Sequence, residues 1–316
     1  MEILLLLGIG LLAASVSLIG GSDDPEEQPD PDVPDVEGTP GNDALQGQRG
    51  DVVRGLGGND SISGNGDFIY GGGGRDGIVA IGDARAFGDD GDDQMTLLDD
   101  ARGFGGAGDD IVNGLGRSSV YGGDGADWVT ARDGAVGSGG VGEDSLAGYD
   151  RATVYGGYGE DDLLVGGDGT GDGGAGNDSL VFFSGATVSG GSGADLFAGV
   201  LDAFEQDDPD AGPVELTITD FTPGEDHLLL RGITANPDSI SIDEDAQGTR
   251  ISVSTGGEMN GVVILDGVSG LTAEDLRIRV DGDSTKFYSV DVRGGESDTV
   301  VLEEPTCLDA GAATIR

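Results

Sequence analysis

The stretch GGAGDDIVN, residues 105–113, returns with the same skeleton as GGVGEDSLA at 139–147 and GGAGNDSLV at 173–181. Written as GGxGxDxUx, with U apolar, the pattern starts at residues 38, 55, 71, 88, 105, 122, 139, 156, 173 and 190. The spacing is 17 residues throughout, apart from one interval of 16 between Gly55 and Gly71. In all ten copies the first and fourth positions are Gly and the sixth is Asp. The eighth is always apolar, as in Leu45, Ile62, Ile78, Met95, Val112, Val129, Leu146, Leu163, Leu180 and Phe197. Gly-rich sequence without structure does not hold four columns in phase, so the chain is read as a solenoid with one coil per 17 residues.

Each column has a physical reason. Glycines at the first and fourth positions are expected to supply positive φ in a tight turn, where a side chain would clash or block an ion. The closing xUx is a short strand whose middle residue faces inward. Coils stacked about 4.8 Å apart place each apolar residue on the last, so only the stack has a core. The same stacking aligns Asp43, Asp60, Asp76, Asp93, Asp110, Asp127, Asp144, Asp161, Asp178 and Asp195. Carboxylates about 5 Å apart repel by roughly 3 kcal/mol at an effective dielectric near 20, so the column needs cations between its rungs. Ligands that are all carboxylate and carbonyl oxygens suit Ca²⁺ better than zinc or copper.

Residues 38–198 resemble the β-roll of the RTX, or hemolysin-type calcium-binding, repeat proteins, whose nonapeptide repeat is the one above. The resemblance implies ions between vertically adjacent turns, held by the sixth-position aspartates and by turn carbonyls. Ten turns on one edge then make up to nine inter-turn sites, with the ten aspartates named above as carboxylate ligands. The other half of each coil departs from the family pattern, as in GLGRSSVY at 114–121 and GYDRATVY at 148–155, so calcium is expected along one edge only. Thr39, Leu56 and Asp89 stand at second positions where Gly is usual, and together with the short interval they put the first two or three sites in question.

In that other half, residues such as Val120 with Ser118, Val154 with Ala152 and Val188 with Ala186 are read as the inward face of a second strand. Tyr70, Phe87, Phe104, Tyr121 and Tyr155 then form an outward aromatic row. It is either a stripe for a sugar or other partner, or cover for the edge of the roll, and the second is the expectation.

Charge narrows the partners. With 61 Asp and Glu against 15 Lys and Arg, the net charge of -46 argues against nucleic acid and anionic lipid headgroups. The single Cys307 allows neither an intramolecular disulfide nor a Cys-based zinc site.

Residues 3–19, ILLLLGIGLLAASVSLI, form an apolar run of about 25 Å as a helix, at the short limit for a bilayer span. Residues 1–20 are therefore read as an N-terminal hydrophobic helix, an uncleaved anchor or a cleaved signal with SVS at 15–17 as its cleavage site. Residues 21–37 are an acidic, Pro-rich tether, and no basic residue precedes Arg49, which places the bulk of the chain outside the cytoplasm, extracellular or on the cell surface.

After residue 198 an acidic linker, 199–213, leads into alternating segments such as VELTITDF at 214 and GVVILDG at 261. They predict a small antiparallel β-domain over 214–316. Its sequence resembles the capping and type I secretion segment that follows many RTX rolls. The fold expected is thus all-β, a parallel β-roll of about ten 17-residue coils with a β-cap.

Nothing marks a catalyst. The sole histidine, His227, excludes an HExxH zinc site, and no lysine precedes Lys286, which excludes a GxxxxGK[ST] phosphate loop. Two function classes follow. The first is an exported, non-enzymatic calcium-binding protein of structural or adhesive role, with a cell-surface or polysaccharide partner. The second is a secreted hydrolase or carbohydrate-active protein with the roll as accessory.

Overall fold

The computed structural model describes residues 35–66, 68–183, 185–201, 213–233, 239–255, 258–272, 275–280, 287–289 and 298–299. The apolar run at 3–19 and most of the acidic tether lie outside these residues. Among the described residues no helix is long and apolar enough to cross a membrane.

Two sheets, of 15 and 13 strands, are built turn by turn from the repeat. Each coil lays one strand into the first sheet, passes through the GGxGxD turn, lays a shorter strand into the second and returns. Ser119–Asp124 and Trp128–Arg132 are one such pair. Neighbouring coils pair in parallel one repeat apart, Ser119 with Val136 and Trp128 with Ser145. The 16-residue interval costs no register on the motif side. Ser61–Asn65 and Phe68–Gly73 are separated by two residues, whereas Gly77–Ile81 and Arg85–Asp90 are separated by three, so the return turn absorbs the deletion. Asp35–Glu37 already pairs with Val52–Gly57, so the roll takes in the end of the expected tether.

Side chains alternate in and out with the period of two that strands impose. Ile62, Ile78, Met95, Val112, Val129, Leu146, Leu163, Leu180 and Phe197 form one inward column and are at most 3% exposed. The facing column holds the residues assigned inward from sequence, including Val120, Val154 and Val188, together with Ser118, Ala152 and Ala186, all fully buried.

The two sheets divide the interior volume between them. A Cβ at Gly103 would run into Leu97, one at Gly137 into Val129, and one at Gly171 into Val165. In the coils between, a Cβ at Gly114 would meet Val120, and one at Gly148 would meet Val154. Large and small residues thus exchange sheets from coil to coil, which keeps a narrow core at constant volume.

After the last motif turn the roll goes on. Val214–Ile218 and Glu258–Asp266 extend the first sheet in parallel, and His227–Ile233 and Leu276–Val280 extend the second. The antiparallel pairing expected over 214–316 is confined to Ser239–Glu244, Gly248–Thr255 and Glu258–Asp266, to Leu276–Val280 with Phe287–Ser289, and to the contact of Asp298–Thr299 with Ser239–Glu244. The described part of the C-terminal region is therefore first a continuation of the solenoid and only then a cap. The physical reason is that parallel strands at an open end present unpaired backbone groups, which the next alternating segments satisfy.

Turn conformation corrects one expectation. From Gly58 to Gly193 the fourth-position glycines do have positive φ, between 102° and 151°, but Gly41 and the first-position glycines do not. The second residue of the turn does, as at Gly106 (123°) and Gly140 (129°), and Leu56 (81°) and Asp89 (74°) adopt it without being glycine. A left-handed conformation costs an L-residue about 1–2 kcal/mol, and Gly returns about 0.5–1 kcal/mol of that as chain entropy. Leu56 is 43% exposed and gives up little packing. Leu56→Gly is therefore expected to raise the thermal midpoint, by about 2–4 °C for each kcal/mol gained, which a calorimetric scan reads.

Candidate metal centre

The ten aspartates fall on one edge of the roll, as predicted, and the column is longer than the motif. From Asp60 to Asp195 no residue of it exceeds 4% exposure. One carboxylate oxygen has a fixed role. Oδ1 of each aspartate accepts the backbone N–H of the aspartate one coil earlier, for example Asp110 from Asp93 at 2.7 Å, Asp127 from Asp110 at 2.8 Å and Asp178 from Asp161 at 2.9 Å. The N–H of Asp43 and of Asp60 is held in the same way by Asp60 and Asp76, at 2.8 and 2.7 Å. Leu56, Asp89 and the short interval therefore leave the Asp60 and Asp76 rungs intact.

The other oxygen has no such partner. Oδ2 of Asp60, Asp76, Asp93, Asp110, Asp127, Asp144, Asp161 and Asp178 is buried without a hydrogen bond. Each lies against the first glycine of its own turn. A Cβ at Gly105 would collide with Asp110 Oδ2 and stand 2.6 Å from the Gly122 carbonyl oxygen of the next coil. The same two kinds of oxygen converge at Gly55, Gly71, Gly88, Gly156 and Gly173. This closeness, rather than positive φ, is why the first position is Gly. Two acceptors facing one gap without a donor are unfavourable unless a cation or a proton comes between them.

Burial without neutralisation raises the carboxyl pKa values. Desolvation, then repulsion from the neighbouring aspartates, pushes Asp93, Asp127, Asp144 and Asp161 up to about 6, and Asp110 and Asp178 up to about 7. The backbone N–H bonds oppose this but do not cancel it. Among the described residues no three carboxylate, histidine or cysteine side chains cluster as a compact metal site. The available donor set is a row, with one carboxylate oxygen per coil and main-chain carbonyls beside it. Hard oxygen donors of that kind fit Ca²⁺.

The ends of the column are built differently. At Asp43, Oδ2 accepts the Thr39 N–H at 2.6 Å and the Thr39 hydroxyl at 2.8 Å. Beyond the motif, Asp226 takes up the column. Its Oδ1 accepts the Asp195 N–H at 3.0 Å and its Oδ2 the Thr222 N–H at 2.7 Å. Asp275 follows, with Gly224 N–H on Oδ1 at 2.7 Å and Thr272 N–H on Oδ2 at 2.6 Å. Burial pushes the Asp275 carboxyl up, yet these hydrogen bonds outweigh it and hold the group below its ordinary value. Asp220 closes the last glycine turn, accepting the Gly190 and Gly191 N–H groups at 2.9 and 2.8 Å.

Reading for strict GGxGxD missed Asp226 and Asp275. For Asp226 the signal was present, because Thr-Pro-Gly-Glu-Asp at 222–226 repeats the Thr-Pro-Gly-Asn-Asp of 39–43 with one exchange.

No known family's sequence profile matches the chain, and no curated protein does. Among solved structures, the chain is similar to the R3 subunit of the AlgE6 mannuronan C5-epimerase of Azotobacter vinelandii, determined in solution. The identity is 24%, with 55% of this chain and 94% of that one covered, at a TM-score of 0.30.

Proposed function

We propose that the chain is an exported calcium-binding β-roll, non-enzymatic, with a structural or adhesive role at the cell surface. The observation that carries this reading is the row of eight aspartate Oδ2 atoms, buried and without hydrogen bonds, each against a glycine. Asp60 to Asp178 are the carboxylate ligands, and calcium supplies the positive charge that lets the column stay ionised. Asp195, the last aspartate of the motif, borders the final gap. Asp43, Asp226 and Asp275, whose second oxygens are taken by threonines, are ends of the column that hold no ion.

A ligand that binds only the folded chain stabilises it in proportion to the logarithm of its concentration. A chain of charge -46 therefore stays open where calcium is scarce and closes outside the cell, where weak extracellular modules bind at about 10⁻⁴–10⁻³ M. Support for a non-catalytic role is the uniformity of the site. The same carboxylate geometry is repeated coil after coil, whereas acid and base catalysis sets two groups apart by environment.

Counting bound ions by equilibrium dialysis of the full chain tests the assignment. Asp127→Asn is expected to lower the number of calcium ions bound, and Asp43→Asn to leave it unchanged. An equal loss from both variants would place ions at the ends and contradict the reading. No loss from either would remove the column as a calcium site.

A further inference from the structure

The two sheets turn unlike outer faces to solvent. On the first, Tyr70, Phe87, Phe104 and Tyr121 stack ring on ring, with centroids 4.8–5.2 Å apart, and so cover one another. Arg54, Arg85, Arg102 and Asp172 stand outward on the same face. The second sheet is apolar outside. Val79, Ile81, Ile111, Trp128 and Leu196 are five of the eight large apolar side chains exposed among the described residues, and Trp128, the sole tryptophan, is 57% exposed. Its central outward column runs Ala147, Leu164, Val181, Ala198 and Leu229 in register without a polar residue. Asp162 is the only acid at the outward positions from Ser61–Asn65 to His227–Ile233 among the described residues. Contiguous apolar surface of this kind marks an interface.

The face is complementary to itself. One outward position flanks the central column on each side, and in several coils one is small where the other is large. Gly77 is matched by Ile81, Ser145 by Tyr149 and Ser179 by Phe183, the two aromatic residues continuing the sheet through their N–H bonds to Ala131 and Val165. A two-fold axis along the roll brings the first outward position of each coil onto the third of the same coil in a second copy. Small then meets large, Ile111 meets Leu115, and Leu196 meets Val200. Trp128 meets Arg132, whose guanidinium is held in place over the Tyr149 ring at 5.0 Å. Ten coils rise about 48 Å and the outward positions span about 13 Å, so the flat face measures about 600 Å² on each copy. Two copies cover about 1,200 Å² before the relief of the side chains is added, where specific interfaces bury about 1,200–2,000 Å².

We propose that the folded chain forms a two-fold dimer through the outer face of its second sheet, the two rolls lying side by side and parallel. Sheets packed face to face stand about 10 Å apart, close enough for these side chains to interdigitate. Two chains of charge -46 repel, yet the roll keeps its acids in the turns, as at Asp109, Asp133 and Asp150, and off this face. Calcium on the aspartate column, in the reading above, lowers that charge further. The face exists only once the coils have stacked, so dimer formation follows folding. A peptide adding as a strand finds no opening here, because the strands are paired on both sides.

The test is analytical ultracentrifugation of the full chain in millimolar calcium, with the fluorescence of Trp128 read over the same protein concentrations. A dimer is expected, and the tryptophan emission should move to shorter wavelength as it forms. Ala147→Lys sets two lysines against each other on the axis. It is expected to weaken the dimer tenfold or more and to remove the emission shift, with the circular dichroism in calcium unchanged. Asn113→Lys, two rungs away in the same column, is expected to give the same loss and serves if Ala147→Lys folds poorly. Ser138→Lys, outward on the first sheet, is expected to leave the dimer intact. Association that both column variants leave at full strength, as contact through residues 3–19 alone would be, overturns the proposal. So does a monomer at every concentration, whether Trp128 is already sheltered in it by another segment of the chain or shifts only on phosphatidylcholine vesicles. A chain that folds in calcium and stays monomeric refutes this inference alone. One that folds and dimerises in chelator refutes only the calcium reading.

Discussion

Asp127→Asn is expected to stabilise the calcium-free chain and to destabilise the calcium-loaded one. The amide keeps the oxygen that accepts the Asp110 N–H, at 2.8 Å in the native chain, and replaces the buried Oδ2 with a neutral group. In chelator at pH 8 the substitution removes a desolvated anion that lies between Asp110 and Asp144 in the same column. A gain on the order of 1–3 kcal/mol follows from relieving an uncompensated buried charge. In calcium the same change removes a ligand, and the calcium concentration at the folding midpoint should rise tenfold or more. Urea unfolding in calcium reads one sign, and the concentration of a folding osmolyte needed to fold each chain in chelator at pH 8 reads the other. If the amide shifts stability the same way under both conditions, the carboxylate serves packing and not an ion.

Acid is expected to stabilise the calcium-free roll, the reverse of ordinary acid denaturation. The carboxyls of Asp93, Asp127, Asp144 and Asp161 at about 6, and of Asp110 and Asp178 at about 7, sit above the value of about 3.9 for aspartate in an unfolded chain. A folded state with raised carboxyl pKa values binds protons more tightly than the unfolded state does. Its contribution to stability is fully present below about pH 4 and is lost as pH rises through 6 to 7. In chelator the osmolyte concentration at the folding midpoint should therefore fall between pH 8 and pH 5. In calcium, protons compete with the ion for the same oxygens, and calcium affinity should fall over that window. Lower general repulsion in a chain of charge -46 also favours acid, so the control is a chain with Asp110, Asp127 and Asp144 all changed to Asn. Its midpoint should depend less on pH. Equal pH dependence in the two chains would assign the effect to net charge.

The periodic part of this architecture was open to reading because glycine, aspartate and an apolar residue serve distinct physical needs, and each coil repeats all three. Ile62, Val112 and Leu180 are inward, and Asp93, Asp110 and Asp127 align, as spacing alone required. Other features depend on three-dimensional neighbours. Gly105 looks like a turn glycine, yet its constraint is the Asp110 carboxylate and a carbonyl from the coil after it. Leu56 and Asp89 hide the position that carries positive φ, since each tolerates the strain. The exchange of bulk between Leu97 with Gly103 and Gly114 with Val120 runs over two coils, twice the visible period. The C-terminal segments alternate like any antiparallel strands. Their parallel docking is set by the open end of the roll, and the short Thr-Pro-Gly-Glu-Asp segment was its one local sign.

The most direct measurement is a calcium titration of the full chain at pH 8, followed by far-ultraviolet circular dichroism, with magnesium in parallel. A cooperative coil-to-β transition near millimolar calcium, absent with magnesium, is the predicted result. A chain already folded in chelator at pH 8, with no gain in stability on adding calcium, would mean that the buried aspartates are accommodated without ions and would contradict the account.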